Sequence, residues 1–181
     1  MNLPNLITLG RLLCVPLAIW LVLSHDLGAA FWLFAAAGIS DAIDGFIAKR
    51  FDQRSRLGAL LDPLADKALL VSMYVTLGVA GYLPNWLVIL VVFRDVLIVG
   101  GFILVTTLAH VMRSEPLFIS KLNTALQIGL IAVVLARIGL GIPDLGLGQL
   151  LIFVVAATTV LSGGGYLVRW GRGIAGVEED R

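Results

Sequence analysis

The sequence predicts an all-α, polytopic membrane protein: six transmembrane helices forming a single domain over residues 1–181. Three observations lead there. Hydrophobic residues make up 59% of the chain and charged residues 14%, with a mean hydropathy of +0.99, far too apolar for a soluble domain of this size. Apolar runs recur six times, each near the ~20 residues needed to cross a bilayer. The connections between them are short, and Lys and Arg gather at alternate ones.

The first run, 5–24, follows Pro4 and carries Asn5, Thr8 and Arg11 at helical spacing on one face. These three either cap the helix and reach headgroups or line a binding pocket. Met1–Gly10 has no basic n-region and no small-residue cleavage site follows, so the run reads as a retained helix and not as a signal peptide. The second run, 28–49, ends in the basic turn Lys49, Arg50, Arg54, Arg56, and the third, 58–81, leads out of it. The fourth, 84–109, starts at Pro84-Asn85-Trp86 and is interrupted by Arg94-Asp95, which either neutralise each other or bind neighbouring helices, or else offer Arg94 to an anionic headgroup. The fifth, 118–140, follows Pro116. The sixth, 147–169, contains Gly163-Gly164-Gly165, expected at close packing or a bend. Cys14 is the one cysteine, so no disulfide framework exists.

Orientation follows from the basic residues. They cluster at the second-to-third turn, at the fourth-to-fifth connection (Arg113, Lys121) and at the C-terminal end (Arg169, Arg172, Arg181), while Ser24–Gly28 and Tyr82–Asn85 carry none. By the positive-inside rule both termini face the cytoplasm or matrix, in a bacterial inner or mitochondrial inner membrane. Arg137 alone falls on the opposite side. Trp32, Tyr82, Trp86 and Trp170 lie near helix ends, as interfacial aromatics do. The net charge of +1 says less than the placement of the charges, and no nucleic-acid partner is expected.

The chemistry is concentrated between Ser40 and Lys67. Four of the twelve acidic residues fall there: Asp41 and Asp44, three apart, and Asp62 and Asp66, four apart. On two helices joined by the basic turn, each pair shares a face and the four carboxylates converge. So placed in a low dielectric they cannot all stay ionised without cations. With no His or Cys beside them, the oxygen-only set suits two hard divalent ions, Mg²⁺ or Mn²⁺, and not Zn²⁺. Gly45 and Ala48 leave room on the same face. Paired Asp residues also occur at solvated helix ends, but carboxylates within a membrane helix are costly and mark function.

The pattern Asp41-x2-Asp44-Gly45-x2-Ala48-Lys49-x8-Gly58-x3-Asp62-x3-Asp66 resembles the signature of the CDP-alcohol phosphatidyltransferase family, D-x2-D-G-x2-A-R-x8-G-x3-D-x3-D. Lys49 stands where the family has Arg; it keeps the charge and loses the bidentate fork. The resemblance implies that family's fold and its two-metal chemistry. By it, Asp41 and Asp62 bridge both ions, Asp44 completes one, and Asp66 completes the other and serves as base. Gly45, Lys49 and Ser55 then hold the nucleotide and its phosphates, with Ala48 and Gly58 beside them. The start Pro4-Asn5-x2-Thr8-x2-Arg11 is similar to that of family members in which the first helix lines the nucleotide pocket, which favours substrate binding for Asn5, Thr8 and Arg11.

Beyond the motif, Leu61–Lys67, Arg94-Asp95-Val96 and Pro116–Gln127 resemble one branch of the family, the cardiolipin synthases of the CDP-alcohol type. This implies transfer from CDP-diacylglycerol to phosphatidylglycerol, giving cardiolipin and CMP, by a homodimer among membrane lipids. Arg94, Arg113 and Lys121 are placed to receive the acceptor's phosphate. The same cations suit glycerol 3-phosphate, so a phosphatidylglycerophosphate synthase is the alternative acceptor reading. A divalent-cation transporter is the alternative of another class. It needs a polar path to the far side, and the acidic cluster has no counterpart in the second half as an inverted repeat would supply. A non-catalytic scaffold has no use for four carboxylates.

Overall fold

Helices follow wherever the apolar runs are uninterrupted by turn residues. The computed structural model describes residues 3–51, 56–109, 118–143 and 145–179, with side chains described within 10–40, 65–101, 118–143 and 145–169. Six helices and no strand occur among the described residues: α1 Leu3–Leu23, α2 Leu27–Phe51, α3 Arg56–Val79, α4 Asn85–Ala109, α5 Phe118–Gly139 and α6 Leu147–Glu179. The boundaries match the apolar runs closely except at the end of α6. That helix continues to Glu179, beyond the predicted end at 169, because apolarity ends there while no proline stops the i→i−4 ladder. Glu178 and Glu179 are therefore helical.

Of the six expected membrane spans, two meet the test of length and apolarity among the described residues: Phe118–Gly139 and Leu147–Arg169. The stretches Gly10–Leu23 and Leu27–Ser40 are apolar but shorter.

The helices divide into two units. The first comprises residues 1–83 and 131–145, the second 84–130 and 146–181, so α5 contributes to both. In the first unit α1 packs against both α2 and α3, burying Leu21, Val22, Phe34, Met73, Tyr74 and Leu77. The chain reverses after α1 through His25, whose φ of 62° lies in the left-handed region. There Asp26 N–H bonds to Leu21 C=O at 2.9 Å and His25 N–H to Val22 C=O at 3.1 Å, the paired bonds of a Schellman end. Asp26 then caps α2, its Oδ1 accepting the Ala29 N–H at 3.1 Å. The end of α3 repeats the device with Gly81, at φ 80°: Tyr82 N–H reaches Leu77 C=O at 2.8 Å and Gly81 N–H reaches Gly78 C=O at 3.0 Å. His25 Nδ1 lies 2.8 Å from the Tyr82 hydroxyl, tying the two turns together.

The end of α5 meets the start of α2 at backbone contact. A Cβ on Gly139 would stand 2.4 Å from the Leu27 carbonyl carbon and 2.5 Å from Gly28 N, so only glycine fits there.

In the second unit α4 runs along α6. Its polarity is inverted relative to a soluble bundle: Arg94, Asp95, Asn123, Gln127, Thr159 and Ser162 are buried, whereas Ile89, Phe93, Leu150, Phe153, Val160 and Leu161 are exposed. Apolar side chains outside and hydrogen-bonded polar ones inside are what helices adopt when the surrounding solvent is lipid.

Candidate active site

Asp41 and Asp44 lie in the second half of α2 and Asp62 and Asp66 in the first half of α3, each pair within one continuous helix. The helical spacing expected of both pairs is thus present in the backbone. The side chains of Asp41, Asp44, Asp62, Asn5, Thr8, Ala48 and Lys49 lie outside the described residues, as do Gly45 and Gly58 beyond their helical backbone, and Ser55 and Arg113 altogether. Among the described residues no three His, Cys, Asp or Glu side chains gather.

Asp66 is described, and so is Arg11. Arg11 sits on α1, its side chain 4% exposed, and its Nη1 donates to Asp66 Oδ1 on α3, whose side chain is 43% exposed. Two candidate residues that the sequence places 55 positions apart, one in the N-terminal motif and one in the carboxylate motif, therefore form an ion pair. The packing of α1 on α3 brings Arg11 to that position, with Ala65 fully buried beside Asp66. One partner is buried and the other open. The arginine is fixed by burial, and the carboxylate is partly exposed.

That accessibility bears on the metals. Asp66 is a half-exposed carboxylate on a helix that also carries Asp62 one turn away, and carboxylate oxygens are the donors that hard divalent ions take. The residues fit Mg²⁺ or Mn²⁺.

The second unit places the remaining described candidates. Lys121, in the first turn of α5, is exposed. Arg94 is 3% exposed, and its guanidinium is engaged on several sides: Nη1 donates to Asp95 Oδ1 at 2.7 Å, and Nη2 donates to Ser162 Oγ at 2.6 Å and to Ser120 Oγ. Gly163 lies against the Arg94 stem, a Cβ there standing 3.7 Å from Cγ. Of the two sequence readings of Arg94-Asp95, mutual neutralisation and bonding to neighbouring helices is the arrangement observed. The Thr158 and Thr159 hydroxyls reach the Asn123 amide oxygen at 2.8 and 3.0 Å.

Ser120, Asn123, Thr158, Thr159 and Ser162 form polar links that residue-by-residue reasoning did not single out. The signal was present: Ser120, Asn123 and Gln127 recur at i, i+3 and i+7 in an apolar helix, and Thr158 and Ser162 at i and i+4.

Comparison with known proteins supports the same reading. The family model described as CDP-alcohol phosphatidyltransferase matches residues 1–161. The chain is 36% identical over 181 aligned residues to a rat cardiolipin synthase (CMP-forming), covering 91% of this chain and 60% of the rat protein. The human cardiolipin synthase (CMP-forming) matches at the same identity and coverage. A rice chloroplastic CDP-diacylglycerol–glycerol-3-phosphate 3-phosphatidyltransferase is 34% identical over 193 aligned residues, covering 94% of this chain and 57% of the rice protein. The chain thus spans roughly three fifths of the length of these relatives.

Proposed function

The chain belongs to the CDP-alcohol phosphatidyltransferase family, and from that premise we propose that it moves the phosphatidyl group of CDP-diacylglycerol to a hydroxyl of phosphatidylglycerol, forming cardiolipin and releasing CMP. The observation that carries the reading is the Arg11–Asp66 pair, which joins the N-terminal motif to the last carboxylate of the signature. The acceptor is chosen from the rat and human relatives, both cardiolipin synthases.

Asp41, Asp44, Asp62 and Asp66 would hold two divalent ions, which when bound neutralise the pyrophosphate and stabilise the departing CMP. The chain's own residues do the rest. Asp66 takes the proton from the attacking hydroxyl; the acceptor oxygen bonds to the phosphorus of the phosphatidyl group as that phosphorus releases the CMP oxygen. Arg11 orients the Asp66 carboxylate through its Nη1 bond. Asn5 and Thr8 on α1, with Gly45, Ala48, Lys49, Ser55 and Gly58, hold the nucleotide. Lys49 acts on phosphate as a point charge where Arg would act as a fork. Arg113 and Lys121 supply the positive charge that the acceptor's phosphate needs; Arg94, expected as a third such cation, is bonded instead to Asp95, Ser120 and Ser162.

The setting is a single domain of residues 1–181 with six transmembrane helices, homodimeric, with both termini and the carboxylates on the cytoplasmic or matrix side. There the lipid tails stay in the bilayer while the cytidine reaches water.

Glycerol 3-phosphate is the second acceptor, favoured by the likeness to the rice enzyme. CMP release by the purified protein in detergent, with CDP-diacylglycerol, Mg²⁺ or Mn²⁺ and either acceptor, separates the two. Turnover with phosphatidylglycerol alone supports the cardiolipin reading. Turnover with glycerol 3-phosphate alone replaces it, and turnover with neither removes both.

A further inference from the structure

We propose that Arg94 is a positioning residue for the acceptor's phosphate: it anchors the first turn of α5 through Ser120 and so places Lys121, without touching the acceptor itself. The inference rests on the assignment of Lys121 to the acceptor's phosphate made above.

The guanidinium of Arg94 is buried to 3% exposure and spends both terminal nitrogens inside the protein, on Asp95, Ser120 and Ser162. The third nitrogen, Nε, is also buried, with no hydrogen-bond partner among the described residues. A phosphate could meet this guanidinium only if those bonds were given up. What the guanidinium does instead is bind three helices at one point, because Asp95 is on α4, Ser120 on α5 and Ser162 on α6.

Ser120 lies in the first turn of α5, immediately before the exposed Lys121. A second point of attachment follows one turn on, where the buried Asn123 meets the hydroxyls of Thr158 and Thr159 on α6. Ser120 and Asn123 are three apart and share a face, so two polar links fix the rotation of α5 about its axis. That rotation decides where the base of the Lys121 side chain stands. A flexible four-carbon ammonium is a precise phosphate ligand only when its backbone is held, and Arg94 holds it. The planar fork suits this task because one side chain must satisfy acceptors in several directions at once. A lysine carries its three donors on one nitrogen and lacks the span of the fork.

The test uses the full-length protein in detergent and measures KM for each substrate separately, on whichever acceptor, phosphatidylglycerol or glycerol 3-phosphate, the wild type turns over. Both carry a phosphate, so loss of the cardiolipin reading does not remove the test. Ser120→Ala and Arg94→Lys are each expected to raise the acceptor KM about tenfold, the scale of one charge-assisted hydrogen bond, with the KM for CDP-diacylglycerol unchanged. Lys121→Ala should raise it too, and Ser120→Ala/Lys121→Ala should be no worse than Lys121→Ala alone, because both changes act on one contact. Amide exchange read by mass spectrometry should quicken at residues 118–124 in Ser120→Ala; this readout needs no turnover.

Three results would overturn the proposal. One is an acceptor KM left unchanged by Arg94→Lys, since a direct phosphate contact tolerates a point charge. Another is an additive Ser120–Lys121 pair. The third is unchanged exchange at 118–124 in Ser120→Ala.

Discussion

Replacing Gly139 by alanine isolates one close contact in the fold. The added Cβ would lie 2.4 Å from the carbonyl carbon of Leu27 and 2.5 Å from Leu27 O and Gly28 N, whereas ordinary contact begins at 3.4 Å. The obstacle is backbone on both sides, so no rotamer change relieves it. The end of α5 must withdraw from the start of α2 by about 1 Å, a displacement whose cost lies at the upper end of overpacking, roughly 3 kcal/mol. For a chain of this size that is a fall in melting temperature of roughly 6–12 °C. Gly129 supplies the control on the same helix: a Cβ there meets nothing within 4 Å. Gly129→Ala should therefore be neutral or stabilising by up to ~1 kcal/mol, the intrinsic helix preference for alanine. Thermal unfolding of both variants in one detergent, followed by intrinsic tryptophan fluorescence, makes the comparison. If Gly139→Ala melts within about 2 °C of Gly129→Ala, the close approach of α2 and α5 is wrong.

Three further outcomes are expected. Asp66→Asn should abolish CMP release and lower stability by about 2 kcal/mol, less than the ~3–5 kcal/mol of a broken buried pair because the Asp66 side chain is 43% exposed; an active variant would remove Asp66 as the base. Chelation of divalent ions with EDTA should stop turnover, and Mg²⁺ or Mn²⁺ but not Zn²⁺ should restore it, as an all-oxygen donor set requires; CMP release after metal-free dialysis is the check. Gly81→Ala should cost about 1 kcal/mol, since φ is 80° there and an L side chain in that region is strained; a melting temperature equal to wild type would show that the turn after α3 relaxes freely.

The all-helical class and the helix boundaries were legible in the sequence because they depend on local properties. Runs of apolar residues near the length of a bilayer crossing, and turn residues between them, need no knowledge of neighbours. The carboxylate motif was legible for the same reason: the spacings of Asp41, Asp44, Asp62 and Asp66 are properties of single helices, and the structure places each pair within one. The extension of α6 to Glu179 was missed because hydropathy measures where a helix leaves lipid and not where its hydrogen bonds end.

What tertiary structure decided was which distant residues meet. The sequence marked Arg11 and Asp66 separately, and the packing of α1 on α3 made them a pair. It marked Arg94 as either a headgroup ligand or a structural cation, and the positions of Ser120 and Ser162 on two other helices settled its surroundings. Gly139 is required as glycine only because Leu27 and Gly28 are set against it. Periodicity determines which face of a helix a residue occupies, but the partner across that face comes from elsewhere in the chain, and only packing selects it.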